Sequence, residues 1–393
     1  MKFKLGFITL YIIVVLYINE GYIHAQTNSI VGPLLETQWW MGAGRSPYTD
    51  MAPENSRIGC GGAAAVQIMR YHRHPVRGIG RSEPYTTTHG VNIPSVNFAN
   101  FTFNWDNTLN RYANANSGTE LQRRIVAEIY YHVTVGISMD FGRNGGGGGM
   151  RAFDHIMAGL TTYFGYDKSM QRLDRIHYDD AVWEAIIKEQ LNAGLPVLYW
   201  GCDNPRTSDH IFIIDGYDNN TGKYHINWGW NGQYDGWYSL SALQPGNYNF
   251  NYNHVMRINI KPDAGGIVAG YGMGLTVFTA SNTSVTRNER FTVTYTLMNF
   301  GYETFPGGQA GAALVDNNGN IVAILGTRTP GARNPRSTAA SATMNCIVPN
   351  TVRPGRYQLR MVIRPGNDRD NNEWRIATHS LPNILTSIDF TVR

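Results

Sequence analysis

The chain has 393 residues, which is long enough for two domains with separate hydrophobic cores. Charged residues make up only 16% of it, and the net charge of +4 is not concentrated in lysine- or arginine-rich runs. A nucleic-acid-binding or membrane-binding surface needs such a basic patch, so the composition argues against both as partners.

Residues 1–25 have the pattern of a secretory signal peptide. Two lysines precede an apolar run over residues 5–18, which is shorter than the roughly 20 residues that span a bilayer. The small residue Ala25 precedes Gln26, as at a cleavage site, and no cysteine for a lipid anchor follows. We therefore expect an exported protein without a membrane span, located in the periplasm, at the cell surface or outside the cell.

The stretch SRIGCGGAAAVQIMRYHRHP predicts a loop followed by a helix that begins near Cys60 and ends before Pro75. A thiol at a helix start meets the positive end of the helix dipole and free backbone N–H groups, which both favour the thiolate. Gly61 and Gly62 leave the sulfur unshielded. Cys60 is thus a candidate nucleophile; a cysteine that only packs in the core is the alternative interpretation.

The cysteine count is odd, which leaves at least one free thiol in an exported chain. Cys202 and Cys346 fall in different predicted domains, so we expect both to be buried and unpaired.

A glycine run separates two predicted helices in the middle of the chain. The first helix places Leu121, Ile125 and Ile129 on one face, and the second runs to about Phe164. The run lacks the lysine and the Ser/Thr of a phosphate-binding loop, so we predict a surface loop. Its members are Gly145, Gly146, Gly147, Gly148 and Gly149.

The region after the glycine run predicts one more helix and then a sheet. Asp179 or Asp180 caps the helix, and five apolar segments up to Pro262 predict successive antiparallel strands. A helical lobe followed by a sheet lobe is an α+β fold with a cleft between the lobes.

Two of these strands form a predicted hairpin in the stretch SDHIFIIDGYDNNTGKYHINWGW. His210 opens the first strand and Asn227 closes the second, so we expect antiparallel pairing to bring them side by side. A cysteine, a distant histidine and then an asparagine follow each other in the order of papain-like thiol proteases.

The pattern changes after Pro262. Residues 263–271 predict a glycine-rich linker, and residues 272–393 alternate apolar and polar positions between turns, with a hairpin around Asn317–Gly319. About seven short strands predict an immunoglobulin-like β-sandwich.

The stretches GCGGAAAVQIMRYHRHP, DHIFIIDGYD and HINWGWNGQYDGWYSLSALQP together resemble the streptopain family of secreted bacterial cysteine proteases, which has a papain-like fold. The resemblance extends from about Pro33 to Pro262, so we expect a two-lobe peptidase domain over residues 26–262. It implies that Cys60 is the nucleophile and His210 its base.

The resemblance also implies roles for residues around this pair. Asn227 is expected to hold the imidazole by its side-chain oxygen, and Trp228 to shield that contact from water. The glycine run is expected to border the substrate cleft. Asp209 precedes the base, where its charge could favour the imidazolium, although a solvated strand-end carboxylate is the alternative.

Two features depart from the pattern of the family. The helix reads CGGAA where the family usually has CVATA, and Glu54 stands where papain has the glutamine of its oxyanion hole, six residues before the nucleophile. An ionised Glu54 would repel the developing negative charge, so Asn55, the next residue, is the rival donor.

No metal or other cofactor is expected. His72 and His74 are predicted to be exposed in the last turn of the first helix, His225 to be structural on its strand, and no cluster has zinc-ligand spacing.

Proteins or peptides are the expected substrates. The arm from Gln26 to about Pro33 has no room for the propeptide that the family usually carries. We therefore expect control by a separate proteinaceous inhibitor or by secretion itself.

The leading hypothesis is a secreted cysteine endopeptidase that works through a thiolate–imidazolium pair and an acyl-enzyme. A catalytically impaired homologue that binds a host or glycan surface is the second hypothesis. A transglutaminase-like or cell-wall amidase enzyme with the same Cys/His chemistry is the third.

Overall fold

The computed structural model describes ten stretches of the chain: 29–42, 46–146, 149–150, 155–265, 271–301, 303–335, 337–366, 373–377, 379–380 and 384–393. The predicted signal peptide lies outside these described residues, as do residues 266–270 of the predicted linker.

Four α-helices occur in the described residues: α1 Cys60–His72, α2 Glu120–Gly136, α3 His155–Tyr163 and α4 Asp180–Asn192. The predicted start of the first helix at Cys60 is confirmed, and its last turn ends at Arg73, which has a left-handed backbone (φ 49°). A capping box between Thr119 and Gln122 begins α2.

The predicted apolar face of α2 is partly wrong. Ile125 and Ile129 are buried, but Leu121 is 48% exposed because the first turn of α2 extends past the core.

Strands β1 to β11 belong to the part of the chain before residue 262. They are β1 Ile30–Val31, β2 Tyr85–Thr86, β3 Asn92–Ile93, β4 Met139–Asp140, β5 Gly149–Met150, β6 Gln171–Asp174, β7 Val197–Cys202, β8 Asp209–Asp218, β9 Lys223–Asn227, β10 Gly236–Tyr238 and β11 Tyr252–Ile258.

Seven of these strands form one antiparallel sheet, in the order β10-β9-β8-β7-β11-β6 with β1 paired to β8. Side chains alternate between its faces. Ile211 and Ile213 of β8 join the core formed with α1, α2 and α3, whereas Phe212 and Ile214 join a second core with α4. The sheet therefore carries a helical lobe on one face, which is the predicted α+β arrangement, and β8 lies against α1.

The hairpin of β8 and β9 has a register different from the expected one. Asn227 pairs with Ile213 and not with His210, and the ladder is shifted by an irregularity between Ile214 and Gly216. Asn227 therefore lies three positions along β8 from His210.

Residues 271–393 build two further sheets around one core of their own. Their strands are β12 Met273–Ala280, β13 Ser284–Val285, β14 Arg290–Asn299, β15 Gly308–Val315, β16 Ile321–Arg328, β17 Ala342–Ile347, β18 Gly355–Pro365, β19 Arg375–Ile376, β20 His379–Ser380 and β21 Ser387–Val392.

One of these sheets has the order β17-β14-β12-β20 and the other β13-β21-β18-β15-β16, with β19 on β18. The predicted hairpin around Asn317–Gly319 is confirmed as the antiparallel pair β15 and β16. Among the described residues, no helix combines the length and the apolar character that a membrane crossing requires.

Candidate active site

Cys60 lies at the first position of α1, where the two lobes meet. Gly59 before it has φ 80°, a left-handed backbone that favours glycine, and so turns the chain into the helix. Cys60 is half-buried as a residue, and its thiol lies within hydrogen-bonding reach of the backbone N–H groups of Ile211 and Gly61. Because Ile211 follows His210 directly, the sulfur lies at the start of β8, next to the backbone of the residue after the histidine.

Burial raises the pKa of the Cys60 thiol to about 11. The N–H groups of Ile211 and Gly61 act in the opposite direction, and the negative charge of Asp209 adds to the increase in pKa. The free site therefore holds Cys60 as a thiol at neutral pH.

His210 is buried, with 4% of its surface exposed, among aromatic rings. The ring of Trp230 has its centroid 4.7 Å from that of His210, and Phe250 lies at 5.3 Å on a nearly parallel plane. This apolar setting lowers the pKa of His210 to about 4, although its bond to the Trp228 carbonyl acts to raise it.

The Nε2 atom of His210 lies 2.7 Å from the carbonyl oxygen of Trp228. A carbonyl oxygen only accepts hydrogen bonds, so Nε2 carries the proton of the neutral imidazole. The lone pair of Nδ1 is then left free for a second partner. This geometry prepares His210 to accept a proton at Nδ1.

Asn227 is buried at the end of β9, and its side-chain oxygen accepts from the backbone N–H of Gly229 and from Nε2 of Gln67, both at 3.1 Å. Its Nδ2 donates to the carbonyl of Thr37 at 2.7 Å. The imidazole Nε2 bonds to the Trp228 carbonyl instead of to the Asn227 oxygen, which is engaged by Gly229 and Gln67. A catalytic role of Asn227 stays a prediction. Trp228 is fully buried, with its ring centroid 6.2 Å from that of His210.

Asp235 and Gln67 are two residues near this site that the sequence reasoning missed. Asp235 accepts the backbone N–H of Trp228 at 2.8 Å, and burial raises the pKa of its carboxyl to about 6. Gln67 had a sequence signal, since it is a polar residue within the apolar run of α1, two turns after Cys60. Asp235 lies in an irregular loop, where periodicity gives no signal.

Glu54 and Asn55 lie on an exposed loop next to the glycine run. Both have left-handed backbone angles, with φ 56° and 55°. The carbonyl of Glu54 accepts the N–H of Gly145 at 3.0 Å, and the N–H of Arg57 donates to the carbonyl of Gly146 at 3.0 Å. The described part of the glycine run is therefore attached to the loop that leads into Cys60.

Three of the five predicted cleft glycines are described: Gly145, Gly146 and Gly149. Gly147 and Gly148 lie outside the described residues. Whether the run borders a substrate stays a prediction.

Asp209 is partly exposed, with 46% of its side chain accessible, and pairs with Arg206 at 3.4 Å. The Arg206 guanidinium lies 5.0 Å from the centroid of the Trp200 ring. Asp209 therefore has a cationic partner at the start of β8, and its place at the substrate cleft stays a prediction.

The other histidines have structural contacts. His72 and His74 were expected to be exposed, but both are half-buried, bonded to the carbonyls of Ile260 and Gly165 at 3.0 Å each. His225 bonds to the buried Asp215 at 2.6 Å. Over the described stretches, no group of three or more His, Cys, Asp or Glu side chains is arranged to hold a metal ion.

A helix-start cysteine opposite a strand-start histidine, between a helical lobe and an antiparallel sheet, is the arrangement of papain-like cysteine proteases. A family model described as the peptidase C10 family matches residues 43–238. The structure of active wild-type interpain A cysteine protease from Prevotella intermedia is 32% identical, covering 59% of this chain and 96% of that one, with a TM-score of 0.52.

Streptopain from Streptococcus pyogenes is 33% identical over 200 residues, which are 49% of this chain and 48% of streptopain. The thiol protease/hemagglutinin PrtT of Porphyromonas gingivalis is 27% identical over 231 residues, 56% of this chain and 25% of that protein. The chain belongs to the peptidase C10 family, the family of streptopain, as the resemblance predicted. It spans about half the length of the streptopain sequences it matches.

Proposed function

We propose that this chain is an exported cysteine endopeptidase that hydrolyses peptide bonds of proteins through an acyl-enzyme. The observation that carries the proposal is the placement of Cys60 at the start of α1, next to the N–H of Ile211, the residue that follows His210. The Nε2 proton of His210 is fixed on the Trp228 carbonyl. Membership of a peptidase family supports the same reaction.

The first half of the reaction forms a thioester. Cys60 transfers its proton to Nδ1 of His210, which converts the neutral pair into a thiolate–imidazolium pair. The thiolate attacks the carbonyl carbon of the scissile peptide, and negative charge moves to the carbonyl oxygen. When this intermediate collapses, the C–N bond breaks and the leaving amine takes the proton from Nδ1.

The second half regenerates the enzyme. A water molecule gives one proton to Nδ1 of His210 and attacks the thioester carbon. Collapse of the second intermediate breaks the C–S bond, releases the carboxylic acid and returns the proton to the Cys60 sulfur. The Trp228 carbonyl accepts the Nε2 hydrogen bond throughout and so stabilises each imidazolium state.

The oxyanion is bound, in this proposal, by the backbone N–H of Cys60 and by a second donor on the loop of Glu54 and Asn55. This loop leads directly into α1 and holds the glycine run beside it. Asp209 and the glycines of the run would then border the substrate.

Labelling with a peptidyl epoxide tests the proposal. We expect covalent modification of Cys60 in the wild type and none in His210→Ala, and we expect both Cys60→Ala and His210→Ala to reduce casein hydrolysis to background. Intact folding of both variants, measured by circular dichroism, is the control. Absence of labelling in the folded wild type would overturn the proposal and favour a binding protein.

Substrate class needs a second measurement. Products released from casein but not from peptidoglycan support proteolysis, whereas the reverse result supports a cell-wall amidase. N-terminal sequencing of the exported protein tests the predicted cleavage before Gln26.

We also propose that residues 272–393 form an immunoglobulin-like sandwich, supported by their two sheets around one core.

A further inference from the structure

Gln67 is a fully buried polar residue in the middle of α1, two turns after the candidate nucleophile. Its Oε1 accepts from the backbone N–H of Trp39 at 3.0 Å and from Nδ2 of Asn227 at 3.2 Å. Its Nε2 donates to Oδ1 of Asn227 at 3.1 Å. A two-point amide pair therefore connects the helix that carries Cys60 to the strand end next to Trp228.

Asn227 continues this connection to a single peptide unit. Its Oδ1 accepts the N–H of Gly229 at 3.1 Å, and the carbonyl of the same Trp228–Gly229 peptide accepts the Nε2 proton of His210 at 2.7 Å. A peptide unit is planar, so fixing the direction of its N–H also fixes the direction of its carbonyl. The position of the Asn227 amide thus determines where the acceptor of the imidazole proton lies.

The orientation of Asn227 depends in turn on its hydrogen bonds to Gln67 and to the Thr37 carbonyl. An isolated Asn side chain could present either its oxygen or its nitrogen to Gly229, since the two ends have nearly the same shape. Gln67 and Thr37 together remove this freedom. The Oε1 of Gln67 is engaged by the Trp39 N–H, its Nε2 meets the Asn227 oxygen, and the Thr37 carbonyl accepts from Nδ2 of Asn227 at 2.7 Å. That oxygen is then the one that receives the Gly229 N–H.

We propose that Gln67 is a positioning residue for His210, acting through Asn227 and the Trp228–Gly229 peptide. The inference rests on the proposed peptidase function for its effect on turnover, but not for its effect on the Cys60–His210 pair itself. Gln67 acts on the pair only through these intermediates, and it sets the strength of the hydrogen bond that stabilises the imidazolium.

A second buried Gln–Asn pair in the chain is a matched control for the pair of Gln67 and Asn227. Gln190 of α4 is also buried, donates from Nε2 to Oδ1 of Asn259 at 3.1 Å, and accepts the Asn259 N–H at 2.8 Å. This second Gln–Asn pair joins α4 to the residue that follows β11. Gln190→Met should therefore cost stability without changing the position of His210.

The experiment compares full-length Gln67→Met with Gln190→Met. The pH dependence of Cys60 alkylation by iodoacetamide reports the Cys60–His210 pair without a peptide substrate. We expect Gln67→Met to alkylate about ten-fold more slowly at neutral pH, with the rise in rate displaced to higher pH. With a peptide substrate we expect kcat to fall about ten- to a hundred-fold, with little change in KM. Gln190→Met should leave the alkylation profile, kcat and KM unchanged.

Retention of the wild-type alkylation profile and kcat by Gln67→Met would overturn the inference and make Gln67 a packing residue. If the wild type alkylates normally but hydrolyses nothing, the proposed function fails while the alkylation comparison still decides the role of Gln67.

If Gln67→Met does not fold, Gln67→Glu decides instead. The introduced carboxyl can donate to the Asn227 oxygen when it is neutral, whereas its ionised form repels that oxygen. We expect activity and alkylation relative to wild type to recover as the pH falls. A constant ratio at all pH values would overturn the inference.

Discussion

Gly62 of α1 lies directly against Thr134 of α2: a Cβ built at position 62 would be 2.8 Å from the Thr134 Cγ2 atom. The Cγ2 atom of Ile58 would be equally near. Both neighbours are β-branched and cannot rotate away freely. The close approach of α1 and α2 therefore explains a glycine in the first turn of α1, where it departs from the usual family sequence.

We expect Gly62→Ala to lower the free energy of unfolding by roughly 1–3 kcal/mol, because the added methyl overpacks the interface of the two helices. Urea denaturation measures the change. Gly236→Ala is the control, since its Cβ would have no neighbour closer than 4.0 Å among the described residues. Equal free energies of unfolding for the two variants would show that the interface of α1 and α2 accommodates the added methyl group without loss of stability.

The pH profile of kcat/KM should rise through an apparent pKa near 4 and stay flat to neutral pH. Burial lowers the pKa of His210 to about 4, and below that pH the protonated imidazole cannot take the Cys60 proton. Initial rates on a short peptide between pH 3 and pH 8 measure the profile.

Two controls belong to this profile. His210 has a lower pKa in the folded than in the unfolded chain, so its contribution to stability is present above its ordinary pKa of about 6.5 and is lost as the pH falls toward 4. Circular dichroism must therefore show the protein folded at each point. Burial raises the pKa of Asp235 to about 6. If the rate rises around pH 6 and this rise disappears in Asp235→Asn, the acid side of the profile belongs to Asp235 and not to His210.

The second oxyanion donor can be located by two substitutions on the loop before Cys60. If Glu54 occupies the position of the papain glutamine, Glu54→Gln should raise turnover at neutral pH, since an amide donates where a carboxylate repels. Rates on one peptide from mildly acidic to mildly basic pH measure this.

If Asn55 is the donor, turnover should fall roughly 100- to 1000-fold when its amide is removed. Asn55→Gly is the suitable variant, because the left-handed backbone at this position would strain an alanine. Unchanged turnover in both Glu54→Gln and Asn55→Gly would exclude this loop from the oxyanion hole.

Removal of the part of the chain that contains the two C-terminal sheets, residues 271–393, should leave the peptidase chemistry intact. Among the described residues, its core contains none from before position 271, and the N–H of Asp263 still bonds to the carbonyl of Gly165 at 2.9 Å. We expect a chain of residues 26–265 to cleave a short peptide with a kcat/KM close to that of the full chain. Lys168→Gln in the full chain is the control, because Lys168 pairs with Glu303 across the two parts at 3.5 Å. A folded but inactive shortened chain would show that the removed part completes the cleft.

The sequence predicts the helix start at Cys60 and the strand start at His210, because alanine-rich and alternating apolar patterns mark those elements. It does not predict the partner of the imidazole. That partner is a backbone carbonyl, a group that every residue carries, so no side chain indicates it. The irregularity in β8 between Ile214 and Gly216 is also invisible in the pattern, and it shifts the pairing of Asn227.

Four aromatic rings enclose the imidazole of His210, and two of them, Trp228 and Trp230, are indoles. An indole interacts differently with a neutral ring and with a cation beside it. Each proton that His210 gains or loses therefore changes the electric environment of these two chromophores. The aromatic rings that lower the pKa of His210 therefore also make the tryptophan fluorescence of the protein sensitive to the charge of this histidine.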